Sequence, residues 1–232
     1  MPAPVVSWLM PFWLPPEGHL HDPRRLAWLS LAIQSIQQQS WGGDWEAILV
    51  SDGNDWRAVD DVQQLCDIDH RFKLIEKGHS GVAGSLNAGL PHCRGDWIAR
   101  LDSDDVATPC RLDRQLSLGS WGPCPDVIGG QAAFIGPDGE DLRRDKTLPR
   151  GHDAIAAMIA NGHCPMCHPA TTIRKSSLEK AGGWPDDPRR EDYLLWKAML
   201  GMGFQFANLG EIMVQYRIHA GQASKQPVIV AG

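Results

Sequence analysis

The chain has 232 residues, 43% hydrophobic and 22% charged, which is typical of a soluble globular protein long enough for one large domain. No apolar run approaches the roughly 18 residues that cross a bilayer, so the sequence predicts no integral membrane protein. A formal net charge of −6 argues against non-specific nucleic-acid binding, because such binding needs a basic surface. The six scattered cysteines, without an export signal, favour free thiols in a reducing cytoplasm.

The first half alternates short apolar runs with helical patterns. Each run has the composition of a buried strand, and apolar residues at helical spacing follow it. The predicted strands cover residues 5–10, ended by Pro11, then 45–50, 72–76 and a stretch from Trp97; the predicted helices cover 23–39, 56–66, 82–90 and 111–118. This repetition predicts a parallel sheet with helices on both faces.

The second half is more mixed. Its predicted strands cover residues 127–135, 170–174, 204–209 and 211–218, and its predicted helices cover 153–160, 176–181 and 192–200. The Asp138-Gly139 pair predicts a hairpin turn after the first of these strands. We therefore predict a single α/β domain over residues 1–224 and a disordered tail over 225–232.

Three carboxylates crowd the end of the fourth predicted strand, because Asp102, Asp104 and Asp105 follow its apolar run directly. Asp52 follows the second strand in the same way, and parallel sheets bind ligands at the carboxyl ends of their strands. Crowded anions persist most readily where a hard divalent cation shares the charge with phosphate or hydroxyl groups. The pattern favours a Mg²⁺ or Mn²⁺ site that bridges a phosphorylated substrate. The alternative is a strand-to-helix turn in which the acids cap a helix.

A series of short motifs runs in order along the chain. They are Val5-Val6-Ser7 with Met10-Pro11, Val50 to Asp55, Gly81 to Gly89, Arg100 to Asp105 with Arg111-Leu112, Gly129-Gly130, His168-Pro169, Gly182-Gly183-Trp184, Glu191 to Trp196, and Tyr216 to His219. In this order they resemble glycosyltransferase family 2, a group of inverting, nucleotide-sugar-dependent enzymes. The resemblance implies the GT-A fold, an α/β fold with a Rossmann-like, mostly parallel central sheet and a mixed acceptor-side half. The nucleotide-binding half would cover about 1–120 and the acceptor half about 121–224.

The resemblance implies roles on the donor side. Pro11 and Asp52 would hold the nucleotide, with the Asp52 carboxylate accepting from the base imide and so favouring a UDP-sugar, or a dTDP-sugar as second choice. Asp104 would ligate Mn²⁺ or Mg²⁺, and Asp105 would assist through water. The implied nucleotide-binding residues are Pro11, Phe12, Asp52, Gly81, Asn87, Arg100, Asp102 and Ser103, and the implied metal residues are Asp104, Asp102 and His219.

On the acceptor side, the resemblance implies that Asp192, with Glu191 beside it, takes the proton of the acceptor hydroxyl. A second interpretation stays open, because two acids in a first helical turn also stabilise the helix by roughly 0.3 to 1 kcal/mol. His168 and Trp184 would lie on the acceptor side. The implied acceptor is a glycan, a lipid-linked molecule or a peptide, and not a nucleic acid. A cytoplasmic protein of this kind could associate peripherally with the inner face of the membrane.

Two features depart from the family pattern. The segment 12–22 is longer than the family's short turn, which predicts an insertion beside the nucleotide pocket. Leu86 stands where many relatives carry a phosphate-binding arginine, which leaves Lys77, His79 or Arg100 to replace it.

Four other interpretations of the sequence are less favoured. The segment Cys164 to His168 has the spacing of a c-type haem attachment, but no export signal is present. The cysteines and histidines of residues 163–168 could also ligate zinc, but adjacent ligands close such a site poorly, so loop packing is preferred. A nucleotidyltransferase of related fold would need a basic, glycine-rich loop after the first strand. A non-catalytic module binding nucleotide-sugar or carbohydrate would not need both Asp104 and Asp192.

Overall fold

The structure is a computed structural model, and it describes residues 6–14, 24–54, 56–120, 124–143 and 147–222. The strands are β1 Val6–Phe12, β2 Trp45–Asp52, β3 Phe72–Lys77, β4 Trp97–Arg100, β5 Val106–Ala107, β6 Val127–Ile135, β7 Thr172–Arg174 and β8 Phe206–Arg217. The helices are α1 Arg25–Gln37, α2 Trp56–Ile68, α3 Gly81–Gly89, α4 Arg111–Leu116, α5 His152–Ala160, α6 Lys175–Lys180 and α7 Glu191–Gly201. The predicted tail 225–232 and most of the predicted insertion lie outside the described residues.

All the described strands join one sheet, in the order β3-β2-β1-β4-β7-β6-β8-β5. The first four are parallel, β7 is antiparallel to both β4 and β6, and β6 is parallel to β8. The mostly parallel sheet with a mixed second half is therefore confirmed. Among the described residues, no helix has both the length and the apolar composition to span a membrane.

The two faces of the sheet carry separate hydrophobic cores, as alternation along a strand requires. In β1, Trp8 and Met10 pack with α1 and α2 on one face. Leu9 points to the opposite face and packs with α3, α5 and α7. This two-sided burial leaves the carboxyl ends of β1, β2 and β4 together at one edge.

Three element predictions need correction. Pro11 does not end β1, because past Leu9 this strand pairs only with β2, so a residue without an N–H is tolerated there. The two strands predicted over 204–218 are the single strand β8, whose pairing with β6 shifts register between Gly129 and Ala132. The two-residue strand β5 was not predicted. The turn at Gly139 is confirmed, although its second arm is a single bridge from Ile135 to Asp141.

Glu46 in β2 is buried at 1% exposure, away from the carboxyl ends of the strands. Its carboxylate accepts hydrogen bonds from the Ser7 hydroxyl at 2.9 Å, Lys73 Nζ at 3.0 Å and Arg94 Nε at 2.8 Å. Burial alone would raise the pKa of Glu46, but these hydrogen bonds outweigh it and lower the pKa to about 2. The ionised form therefore stabilises the fold.

Glu46→Gln should destabilise the fold by about 2 to 3 kcal/mol at pH 7. A lowered pKa contributes stability above the unfolded value near 4.5, and the contribution is lost as pH falls towards 2. The difference from wild type, measured by urea unfolding at pH 7, 5 and 3.5, should therefore shrink below about pH 4.5. Glu179→Gln, which removes an exposed ion pair with Lys175, should change stability by less than about 0.5 kcal/mol. A pH-independent cost for Glu46→Gln would contradict this account.

Candidate active site

The acidic turn that follows β4 forms a compact cluster of carboxylates. One ligand atom from each of Asp102, Asp104 and Asp105 lies within 4.8 Å of the others. The turn closes with a hydrogen bond from the Asp105 N–H to the Asp102 carbonyl at 3.2 Å. Ser103 is half-buried in the same turn. The predicted convergence of these acids at one strand end is present.

The electrostatics of this cluster suit a cation. Burial, together with the neighbouring Asp104 and Asp102, raises the pKa of Asp105 well above its usual range. One Asp105 oxygen accepts the Arg217 N–H at 2.7 Å, and the other is buried with no hydrogen-bond partner among the residues that the structure describes. An orphaned carboxylate oxygen among other carboxylates is costly unless a cation or water satisfies it. The donor set is all oxygen, which is what Mg²⁺ and Mn²⁺ prefer.

His219 lies against the same cluster, with its Nε2 2.7 Å from Asp104 Oδ2 and its ring tilted on Trp28. Its Nδ1 accepts the N–H of Gly221 at 3.2 Å. The proton of the neutral ring therefore sits on Nε2 and is donated to Asp104. For Nε2 to ligate a metal instead, His219 must move its proton to Nδ1 and give up the Gly221 contact.

Arg100 lies beneath the acidic turn and is 1% exposed, with its Nη1 2.5 Å from Asp102 Oδ1. Burial would lower its pKa, but the carboxylates of Asp102 and Glu191 more than offset this and raise it. Its Nε makes no hydrogen bond with the described residues. Arg100 is thus a buried cation between the acidic turn and the first turn of α7.

Asp52 is 3% exposed, and its carboxylate accepts hydrogen bonds from Lys77, Ser80 and Gly81. Lys77 Nζ and the Ser80 N–H reach one oxygen at 3.0 and 2.8 Å, and the Gly81 N–H reaches the other at 2.9 Å. His79 Nδ1 lies 3.1 Å from the Asp52 backbone carbonyl and acts on the carboxylate electrostatically. These hydrogen bonds lower the pKa of Asp52 against the opposing effect of burial. Asp52 therefore caps α3, and to bind a base imide it would have to share or exchange one of these donors.

The other expected phosphate-binding groups also have protein partners. Leu86, at the position of the family arginine, is fully buried against the sheet, so no cation could reach a ligand from that face of α3. Lys77 and His79 both bind Asp52. Gly81 has a φ of +78° and open space where a Cβ would stand, so a ligand can approach the backbone at the start of α3.

The structure does not support Phe12 as a nucleotide contact, because its ring is 2% exposed and packs in the core with Met10. The neighbouring Trp13 is half-buried instead, and its ring centroid lies 5.0 Å from that of His79. Asn54 fixes this segment by accepting the Leu14 N–H and donating to the Phe12 carbonyl. Pro11 is buried within β1. Trp13 is therefore an aromatic side chain that lies beside the Asp52 turn, through its contact with His79.

Asn87 is committed to a different role from the predicted one. Its amide donates to the Trp184 carbonyl at 2.7 Å and accepts the Trp184 N–H at 2.9 Å. Gly183 has a φ of +77°, and a Cβ there would lie 2.4 Å from the Asn87 oxygen, so only glycine fits. Asn87 in α3 thus holds the loop that precedes α7 in place by hydrogen bonds to its backbone.

His168 and Trp184 are buried rather than exposed to an acceptor, at 7% and 2% exposure. The Trp184 indole N–H donates to His168 Nε2 at 2.9 Å, and this Nε2 must accept because indole nitrogen only donates. Burial and Arg100 lower the pKa of His168 to about 3, so the ring is neutral with its proton on Nδ1. Sequence alone could not show that these two side chains bind each other.

The two acids at the start of α7 lie on either side of this network. Glu191 Oε1 is 3.7 Å from His168 Nδ1, and burial raises the pKa of Glu191. Asp192 accepts its own helix's Tyr193 N–H at 2.6 Å and the Cys164 thiol at 3.2 Å. Asp192 and Asp102, from distant segments, both act electrostatically on His168 and oppose the lowering of its pKa by burial and Arg100.

Comparison with solved structures identifies the class of fold. Staphylococcus aureus TarS in complex with UDP-GlcNAc superposes with a TM-score of 0.73 at 14% identity, over 97% of this chain and 61% of that one. The mannosyltransferase PcManGT from Pyrobaculum calidifontis, in complex with GDP-Man and Mn²⁺, gives 0.66 at 15% identity, over 91% and 56%. The fold is therefore that of the GT-A glycosyltransferases. This chain spans less than two thirds of either solved chain.

Sequence comparison identifies the family. The sequence model of the family described as Glycosyl transferase family 2 matches residues 24–182. An uncharacterized glycosyltransferase of Haemophilus influenzae is 30% identical over 84% of this chain and 72% of its own length. The O-antigen biosynthesis glycosyltransferase WbnJ of Escherichia coli is 27% identical over 85% and 77%. The chain belongs to glycosyl transferase family 2, and it is a glycosyltransferase.

Proposed function

We propose that this enzyme transfers a sugar, with inversion, from a nucleotide-diphosphate donor to a hydroxyl of an acceptor, in a metal-dependent reaction. The observation that carries the proposal is the arrangement of two acidic groups from distant segments, residues 102–105 and 191–192: Asp102 lies 2.5 Å from Arg100, and Glu191 lies 3.7 Å from His168. Cleavage of a sugar–phosphate bond needs negative charge stabilised on one side of the sugar and a proton acceptor on the other. The two acidic groups supply these requirements separately.

Asp104 and Asp102 would hold Mn²⁺ or Mg²⁺, with Asp105 acting through water. The orphaned Asp105 oxygen and the mutual repulsion of the three acids support a cation there. The complex of the P. calidifontis mannosyltransferase with Mn²⁺ is also consistent with it. When bound, the ion stabilises the charge of the departing diphosphate. His219 steadies Asp104 through Nε2 and becomes a ligand itself only after its proton moves to Nδ1.

Asp192 would accept the proton of the attacking hydroxyl, and its oxygens keep lone pairs for it beyond their two hydrogen bonds. The acceptor oxygen bonds to the anomeric carbon as the carbon–phosphate oxygen bond breaks, and the diphosphate leaves from the opposite face. Glu191 lies one residue away and acts electrostatically on Arg100, where it would orient the donor sugar. One carboxylate thus accepts the proton while the other helps to hold the donor.

The nucleotide would lie over Gly81 and beside the Asp52 turn, with Trp13 available to stack on the base. A UDP-sugar is favoured and a dTDP-sugar is the second choice, and the complex of S. aureus TarS with UDP-GlcNAc supports uridine. The name of the E. coli relative supports a role in polysaccharide biosynthesis. The acceptor would be a glycan or a lipid-linked or peptide hydroxyl, reached from the cytoplasm, with peripheral association at the inner face of the membrane.

A donor panel tests this proposal directly. UDP-glucose, UDP-galactose, UDP-GlcNAc, dTDP-glucose and GDP-mannose should be compared by thermal shift with Mn²⁺, with Mg²⁺ and with EDTA. We expect one UDP-sugar to raise Tm by several degrees only with a metal, because ligands that bind the folded state stabilise it. Slow release of UDP, with water as acceptor, should follow for the same donor.

The rival functions predict different results in the same panel. A nucleotidyltransferase would be stabilised by a nucleoside triphosphate more than by any nucleotide-sugar. A binding module would be stabilised by a nucleotide-sugar without releasing the nucleotide. Absence of binding and of release across the whole panel would contradict the proposal.

A further inference from the structure

The segment Cys164–His168 lies opposite the first turn of α7, and the proposed function gives it no role. Three contacts hold it in place. Asn208, 4% exposed, donates to the Pro165 carbonyl at 3.0 Å, Met166 is buried in the core, and His168 accepts the Trp184 indole. A segment anchored in this way can orient what it touches.

Each end of the segment presents a donor to a different acid. The Cys164 thiol reaches Asp192 Oδ2 at 3.2 Å, closer than the Met166 carbonyl, which lies 3.6 Å away. An ionised carboxylate is also the stronger acceptor of the two. At the other end, the Trp184 contact leaves the proton of His168 on Nδ1, which faces Glu191 Oε1 at 3.7 Å.

We propose that Cys164 and His168 are positioning residues for the two carboxylates at the start of α7. Cys164 holds Asp192 through its S–H, and His168 orients Glu191 electrostatically through an Nδ1–H that lies 3.7 Å from it, beyond hydrogen-bond distance. Adjacent anions on one helical turn repel each other, and a separate donor for each keeps them in distinct orientations. This inference rests on the proposed function, because it takes Asp192 to be the proton acceptor.

The test uses release of UDP from the best UDP-sugar of the panel, with Mn²⁺ and with water as acceptor. Cys164→Ala should lower the turnover about tenfold without changing the dissociation constant of the donor, because a hydrogen bond to the charged group is lost. Cys164→Ser keeps a donor and should stay within about twofold of wild type. His168→Gln keeps an acceptor for Trp184 but loses the Nδ1 donor, and should lower turnover about fivefold.

The split between turnover and donor binding separates positioning from packing. A variant that only loosens packing should weaken donor binding and lower Tm together with turnover, whereas loss of the positioning hydrogen bond should lower turnover alone, and Cys164→Ser should restore it. Cys110→Ala is the control, since Cys110 is the N-cap residue directly before α4 and its side chain makes no capping hydrogen bond. Tm of each variant reports folding.

Wild-type turnover in either Cys164→Ala or His168→Gln would overturn the inference. Equal loss of turnover in the alanine and serine variants of Cys164, or a loss of turnover matched by an equal loss of donor binding, would also overturn it. Asp192→Asn, assayed in parallel, distinguishes failure of the proposed function from failure of this inference. If Asp192→Asn keeps its turnover, Asp192 is not the proton acceptor and the proposed function is contradicted. If Asp192→Asn is inactive while Cys164→Ala is normal, only this inference fails.

Discussion

Asp192→Asn should lower transfer by about a thousandfold and leave donor binding within about twofold of wild type. The amide oxygen can still accept the Tyr193 N–H, and the NH2 group can donate to the Cys164 sulfur, so the side chain keeps its place. What it loses is the ability to take a proton. The measurement is turnover of the UDP-sugar together with its dissociation constant in Mn²⁺.

The control for this variant must also lose a helix-stabilising acid. Asp153→Asn provides it, because Asp153 is an exposed acid in the first turn of α5, as Asp192 is in the first turn of α7. Both variants forfeit roughly 0.3 to 1 kcal/mol of helix-dipole stabilisation. Only Asp192→Asn should lose turnover. Equal turnover in the two variants would show that Asp192 merely stabilises α7.

Asp104→Asn should have the complementary effect and abolish metal-dependent donor binding. The amide oxygen can still accept His219 Nε2, so the turn should keep its shape. The expected result is loss of the thermal shift that Mn²⁺ and the UDP-sugar give together, with at least about a hundredfold weaker donor binding. Isothermal titration with and without EDTA measures it.

Asp138→Asn is the matched control for Asp104→Asn, since it also replaces an aspartate with its amide but removes only an exposed ion pair with Arg24. Such a pair contributes about 0 to 1 kcal/mol, so binding should not change. If Asp104→Asn keeps metal-dependent donor binding, the cation is held by other residues, and the role proposed for Asp104 is contradicted. Loss of donor binding in both Asp104→Asn and Asp192→Asn would contradict the division of roles between them.

Much of the fold could be predicted because local patterns determine it. Apolar runs that end at Asp52 and at Asp102 place both turns at the same edge of a parallel sheet. The continuity of β8 could not be predicted, because its register shift is set by pairing with β6. The position of Pro11 inside β1 depends likewise on how far β4 extends beside it. Both errors concern the partner strand, which is distant in sequence.

The site was predicted less completely, because burial and partners decide which side chains are available. Phe12 shares the core face of Trp8 and Met10, and this alternation could have indicated Trp13 instead. The partnership of Trp184 with His168 joins residues 16 positions apart through a loop, and no local pattern reveals it. Asn87 contacts the backbone of Trp184, so its role depends on the tertiary structure.

The central claim is that acids from two distant segments act on opposite faces of one donor sugar. A crystal structure of the Asp192→Asn variant with Mn²⁺ and an intact UDP-sugar measures this directly, because the donor is not consumed. We expect the metal on Asp104 with the diphosphate bound to it, and the side chain at position 192 facing the anomeric carbon from the side opposite the diphosphate. A metal bound elsewhere, or a sugar turned away from α7, would contradict the account.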